Sequence, residues 1–161
     1  MAGKKKPATA DKATLRAELL AQLQEAAAAA AAAHHATVAG ATHEEAKSEG
    51  DKDTRATEQQ YLARGQAQRV VELEEAVAEV TRWAPRSFAA GDAVALGALV
   101  TIEEDGEEKR LLVAPAGGGN TLSGGVQVVT PRSPLGQALL GKRSGDEVEL
   151  RQRAFEITLI Q

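Results

Sequence analysis

The stretch Val129-Thr-Pro-Arg-Ser-Pro-Leu-Gly-Gln-Ala-Leu-Leu-Gly-Lys-Arg-Ser-Gly-Asp-Glu-Val148 holds a strand end, a capped helix and a turn in twenty residues. Ser133 before Pro134 reads as an N-cap followed by proline at the first helical position, where a missing N–H costs nothing. Leu135, Leu139 and Leu140 give the short helix its apolar face, and Gly141 closes it as a C-cap. Ser144-Gly-Asp146 then turns the chain into a strand, Glu147 to Leu150. Upstream, Val126 to Thr130 reads as the strand that enters the helix.

Working outward, the same region is strand-rich. Ala93 to Ile102 and Lys109 to Ala114 are β-rich runs flanking Asp105-Gly106, a strong two-residue hairpin signal. Pro115 to Asn120 is a loop. The last strand, Ala154 to Ile160, alternates Phe155, Ile157 and Leu159 with Glu156 and Thr158. Residues 91–161 are thus predicted to form a small antiparallel β domain with one short helix, near the lower size limit for a core of its own. Residues 84–90 form the linker, since Ala84-Pro85 ends the preceding helix.

The first half has a helical period. Asp11 is a plausible N-cap, and Leu19, Leu23, Ala26, Ala30 and Ala33 recur at spacings of four and three. Ala26 to Ala33 combine high helix propensity with little side-chain bulk, which suits a thin seam between closely approaching helices. His34 and His35 are neighbours rather than an i, i+4 pair, and are expected on the surface. Around Gly40 and Thr42 two readings are open: a break and restart at a Thr42/Glu45 capping box, or a continuous helix to about Ser48. A second helix is expected from about Thr54 to Trp83, with Val70, Leu73, Val77 and Val80 repeating at three, four, three. Residues 11–83 are therefore predicted to form a long antiparallel coiled-coil hairpin that projects as an arm, and the fold class is α+β. Residues 1–10, with Lys4, Lys5, Lys6 and Pro7, read as a disordered basic tail.

Between the two helices lies Ala41 to Glu58, holding Glu44, Glu45, Glu49, Asp51, Asp53 and Glu58, with Gly50 near the middle. Residues 44–58 form an acidic tip. A turn of acids that serves only solubility is the plain alternative. Residues at the end of such an arm owe little to packing, so their identity is the less explained by folding.

The bulk composition narrows the function classes. The net charge of −4 does not fit wholesale nucleic-acid binding, and 2% aromatics are too few for base-stacking platforms. The absence of cysteine excludes disulfides, thiolate catalysis and zinc–cysteine sites. No apolar run reaches membrane-span length, and the basic start has no apolar region after it, so a cytoplasmic protein without a membrane partner is expected. Gly117-Gly-Gly-Asn120 lacks the ending of a phosphate-binding P-loop, and His43 beside Glu44 reads as a solvated face.

The residues 129–148 resemble the C-terminal signature of the Gre-type (GreA/GreB family) bacterial transcription elongation and transcript cleavage factors. That signature runs Ser-Pro-hydrophobic-x-x-Ala-Leu-hydrophobic-Gly-Lys-x-x-Gly-Asp-x-Val. Gly91 to Ile102 is similar to the family's first strand, and the acidic-tipped hairpin to its other half. The resemblance extends from about Leu15 onward and implies an FKBP-like fold for the C-terminal domain. It implies that this domain docks on RNA polymerase, that the coiled coil enters the secondary channel, and that tip carboxylates promote endonucleolytic cleavage of backtracked RNA.

On this resemblance the protein is not an enzyme itself but stimulates the polymerase's intrinsic nuclease. No cofactor is bound stably; Mg²⁺ is shared with the polymerase active site, with Asp51 and Asp53 as its ligands and Glu49 and Glu45 behind them as further catalytic candidates. Nascent RNA is met at its 3′ end only within the polymerase complex, and a monomer is expected. The family tip reads Gly-Asp-x-x-Glu-Asn-x-Glu-Tyr. Here Gly50-Asp51 keep their places, Thr54 and Arg55 stand at the glutamate and asparagine positions, and Tyr61 comes three residues late. A regulator that binds the channel without stimulating cleavage is the alternative. A coiled-coil adaptor unrelated to transcription is a third reading. A prolyl isomerase is disfavoured, since only Phe88 and Phe155 are there to line an aromatic pocket.

Overall fold

The computed structural model describes residues 11–45 and 52–161. The expected basic tail, residues 1–10, lies outside them. Two long helices come first, α1 (Lys12–Glu45) and α2 (Lys52–Arg82). They are followed by β1 (Leu99–Glu104), β2 (Glu107–Val113), β3 (Thr121–Leu122), β4 (Val126–Val129), α3 (Pro134–Leu139), β5 (Glu147–Leu150) and β6 (Arg153–Ile160). The described residues fall into two compact units: 11–20 with 79–161, and 21–45 with 52–78. The first therefore contains the base of both helices together with the β domain.

Asp11 caps α1 as its chemistry demands, accepting from the Ala13 N–H at 3.1 Å and the Thr14 hydroxyl at 3.0 Å. The helix runs without a break through Gly40. Thr42 does not start a new helix; its hydroxyl donates back to the Val38 carbonyl at 3.0 Å, as Thr37 does to Ala33. At the other end, α2 stops at Arg82, and its orphan carbonyls are met by one side chain. Arg16 Nε donates to Val80 O at 3.1 Å and Trp83 O at 2.6 Å, and an Arg16 Nη donates to Thr81 O at 2.6 Å. The start of α1 thus lies against the end of α2, so the helices are antiparallel.

The six strands form one sheet in the order β3-β4-β2-β1-β6-β5. Asp105 and Gly106, at φ 52° and 80°, make the two-residue turn between β1 and β2. The sheet is mixed rather than wholly antiparallel: β2 and β4 run parallel, with Leu112 opposite Val128. A parallel pair needs a crossover of about a dozen residues. Residues 114–125 supply it, with β3 directly after the Pro115–Asn120 loop.

Two local expectations change for physical reasons. The run from Ala93 joins the ladder only at Leu99, because Gly97 turns at φ 93°; Val94 instead bonds Lys142 and Gly141 across the end of α3. In β6, a bulge shifts the register against β1, so that Thr101 faces Leu159 but Ile102 faces Ile157. Beyond the bulge the alternation inverts: Leu159 is 40% exposed and Ile160 is buried.

α3 covers one face of the sheet. Leu139, with Leu135 and Ala138 beside it, packs into a core of Val100, Ile102, Leu111, Val113, Phe155 and Ile157. Leu140 leaves the expected apolar face, since its backbone is already non-helical, and lies partly exposed. Ser133 caps the helix, accepting from the Gly136 N–H at 3.0 Å while donating to Thr130 O at 2.8 Å. β1 buries four successive residues, so both sheet faces are covered there. The second face meets the hairpin base, where Glu18 accepts from the Ser123 N–H at 2.9 Å and Lys12 donates to Gly97 O at 3.2 Å.

Two substitutions test this construction. A Cβ at Gly136 would overlap the Thr130 carbonyl. Gly136→Ala should therefore cost about 1–3 kcal/mol in urea unfolding. Arg16→Met should cost about 1–3 kcal/mol by leaving α2's terminal carbonyls without their charged donor. It should also speed amide exchange at residues 79–83 while leaving β1–β2 protected.

Candidate functional site: the acidic end of the helical hairpin

The hairpin is built on a seam that changes character along its length. On α2 the less exposed residues include Ala56, Gln59, Ala63, Gln66, Val70, Leu73, Val77 and Val80 in a three–four alternation, with Ala67, Ala76 and Glu79 beside it. On α1 the seam passes through Leu19 and Leu23 as expected and then departs from the reading above. Ala30 faces inward as expected, but Ala26 and Ala33 are exposed, and Ala27, His34, Thr37 and Ala41 face inward. The cause is one three–four–four step, Arg16, Leu19, Leu23, Ala27. This is an eleven-residue repeat, and it moves Ala26 to Ala27 and Ala33 to His34 in the seam while Ala30 keeps its place.

The consequence is a change of chemistry at about Leu23 and Val70. Towards the base the seam is leucine and valine, with Leu19 and Val80 fully buried. Towards the tip it is alanine, threonine, glutamine and histidine. His34, expected on the surface, is half-buried in the seam. Its Nδ1 and the Oε1 of Gln66 are buried without a hydrogen-bond partner, a costly arrangement. The tip-ward half thus lacks the apolar area that holds the base together.

The candidate carboxylates sit where this weak half ends. Glu45 is the last residue of α1 and Asp53 the second of α2. The side chains of both lie outside the described residues, as do Glu49 and Asp51 altogether. Residues 46–51, which link the two helices in the sequence, lie outside the described residues. Asp53 in the first turn of α2 suits the positive end of that helix. Beyond it Tyr61 is 72% exposed and Leu62 55% exposed, large groups left uncovered by the described residues.

The β domain carries a second set of acids that the sequence pattern did not reveal. Glu147 opposes Glu156, Glu156 opposes Glu103, and Glu103 opposes Glu108, making one in-register row across four strands. Directly opposed like charges are unfavourable. Glu104 lies on the other face, where the Lys109 ammonium at 2.6 Å and Arg153 at 3.9 Å hold its carboxyl below the usual range. Among the described residues no group of three or more acids and histidines is arranged to hold a metal ion. A cleft of about 430 Å³ opens beside Ser133, Pro134 and Leu135, bounded by Gly118, Gly119 and Arg151. No aromatic side chain lines it, so it lacks the proline-binding walls an isomerase needs.

Residues 89–160 match the sequence model of the family described as transcription elongation factor, GreA/GreB, C-term. This region is therefore similar to the C-terminal part of that family. Among curated proteins, transcription elongation factor GreA of Streptococcus sanguinis (strain SK36) is 36% identical over 76 residues, 45% of this chain and 46% of that protein. GreA of Streptococcus pneumoniae serotype 19F (strain G54) is 33% identical over the same shares. The chain thus spans about half the length of the curated relatives it matches. Among solved structures, GreA factor homolog 1 (Gfh1) of Thermus thermophilus is 20% identical with a TM-score of 0.39, over 88% of this chain and 94% of that one. Gfh1 of Thermus aquaticus is 20% identical with a TM-score of 0.37, over 86% and 91%. No helix among the described residues is long and apolar enough to cross a membrane.

The seam makes a direct prediction. Replacing His34 and Gln66 together by leucine should remove two unsatisfied groups, each costing about 1–3 kcal/mol. Amide exchange across residues 27–41 and 56–66 should slow, while that of 70–80 stays unchanged.

Proposed function

We propose that the protein is a Gre-type elongation factor that binds RNA polymerase, enters its secondary channel with the hairpin, and stimulates cleavage of backtracked RNA. The observation that carries this reading is the match of residues 89–160 to the GreA/GreB C-terminal family, preceded by two long helices with an acidic stretch of sequence between them. The domain supplies docking, and the length of the helices supplies reach. α1 has 34 residues, about 51 Å at 1.5 Å per residue.

The chemistry assigned to the tip follows from its donor set. Asp51 and Asp53 offer hard carboxylate oxygens, which fit Mg²⁺, and the tip offers too few ligands for a closed site of its own. Held jointly with the polymerase, the ion supplies charge stabilisation and a more acidic bound water. The chain's part is to place Asp51 and Asp53 at the ion and to orient the attacking water, with Glu49 and Glu45 adding negative charge behind them. Bond cleavage itself is the polymerase's reaction, so the factor is an activator rather than an enzyme.

A second reading has its own support. Thr54 carries no charge, and Arg55, exposed on α2, adds a cation at the acidic turn. A tip so altered would occupy the channel without completing the metal site. Backtracked complexes made with the cognate polymerase and Mg²⁺ separate the two. Shortening of the transcript faster than with polymerase alone supports cleavage stimulation. Asp51→Asn with Asp53→Asn should lower that rate about a hundredfold or more while polymerase binding persists. Binding with slowed nucleotide addition and no shortening supports the second reading. Failure to bind polymerase at all overturns both.

A further inference from the structure

A cleft of about 600 Å³ lies where the first turn of α1, the connector after α2 and the end of β6 meet, all within one compact unit. That volume falls within the range of small-molecule sites. Its charged side chains are two cations and one acid, Lys12, Arg86 and Asp11, and Gln161, the last residue of the sequence, also lines it. The Asp11 carboxylate is engaged by Ala13 and Thr14 in capping α1. Neither Lys12 nor Arg86 is paired with a carboxylate among the described residues; the ion pairs there involve Arg69, Lys109 and Arg153.

The two cations are nonetheless held close together. Both lie against the ring of Phe88, Arg86 at 4.4 Å and Lys12 at 4.8 Å from its centre. The Lys12 ammonium donates to the carbonyls of Arg86 and Gly97, which fixes it in place. Burial, and then the charge of Arg86, lower its proton affinity below that of an ordinary lysine. Like charges drawn together without an anion between them are unfavourable, and a bound anion would relieve that repulsion. The positive end of α1 adds to the same field. The opposite wall is apolar, with Pro85, Ile160 and the outward-turned Leu159. Leu159 faces out only because of the bulge in β6.

We propose that this cleft is a binding site for a small organic anion, a carboxylate or phosphate ester carrying a short apolar body. The head group sits between Lys12 and Arg86, and the body lies on Leu159 and Ile160. Because the lining comes from α1, the connector and β6, the occupied site ties the hairpin base more firmly to the β domain. The proposal does not depend on polymerase or on the acidic tip.

The test uses the full chain and amide and methyl chemical shifts, with octanoate, octyl phosphate, octanol and inorganic phosphate as probes. Octanoate or octyl phosphate should give saturable shifts at Ala13, Ser87, Gly97 and Leu159 at concentrations of about 10 mM or below. Whichever is tighter identifies the head group. Arg86→Gln, at an exposed position, should weaken binding about fivefold or more, charge-assisted bonds being the stronger kind. Leu159→Ser should weaken both amphipathic probes and leave inorganic phosphate unaffected. Absence of saturable shifts with both amphipathic anions overturns the proposal. So does unchanged binding in Arg86→Gln, octanol binding as tightly as octanoate, or inorganic phosphate binding as tightly as octyl phosphate.

Discussion

The guanidinium of Arg16 holds the base of the hairpin, and much else follows from that contact. It satisfies the carbonyls of Val80, Thr81 and Trp83, which no helical N–H reaches, and so ends α2 and sets the antiparallel pairing at once. Its neighbours on α1 extend the same arrangement. Lys12, one turn earlier, holds the connector at Arg86 and the β domain at Gly97. Glu18, half a turn later, holds the crossover at Ser123. Two turns of one helix therefore bind four places distant in sequence: the end of α2, the connector, Gly97 and Ser123. The covered second face of β1 requires this, since a strand buried on both sides cannot end in solvent on one of them.

Away from that base the helices are held by less. Leucine and valine give way to alanine and polar residues beyond Leu23 and Val70, and His34 and Gln66 bring buried polar atoms without partners. Hydrophobic stabilisation scales with apolar area removed from water, so the tip-ward half is the less stable one.

What was legible in the sequence was local chemistry. Ser133-Pro134 and Gly141 bracket α3, Asp105-Gly106 makes the β1–β2 turn, and the α2 seam stands out because valine and leucine contrast with glutamate and arginine. Beyond Leu23 the α1 seam was legible only in part: Ala30 was expected there, Ala27 and His34 were not. A run of eight alanines offers no apolar–polar contrast, so a shift of one residue leaves no mark on it. Non-local pairing was equally hidden: the parallel β2–β4 pair, the row of opposed glutamates and the β6 bulge all depend on register between distant strands. The site divides the same way. The acids of residues 44–58 are visible as composition and, through the family motif, as Gly50-Asp51. Their mutual geometry depends on a turn that neither propensity nor period specifies. The Lys12–Arg86–Phe88 cleft had no sequence signal, since its parts lie more than seventy residues apart and meet only through the fold.

The central claim is that the β domain anchors a hairpin whose acidic end works inside the polymerase. The chain has no cysteine, so a single one introduced at Arg55 gives a unique attachment point for a photo-crosslinker. With a backtracked complex, the account predicts crosslinks from position 55 to the catalytic subunit beside the active centre and to the 3′ end of the RNA. Crosslinks confined to the polymerase exterior, with a control cysteine at Arg132 confirming that the domain is bound, would contradict it.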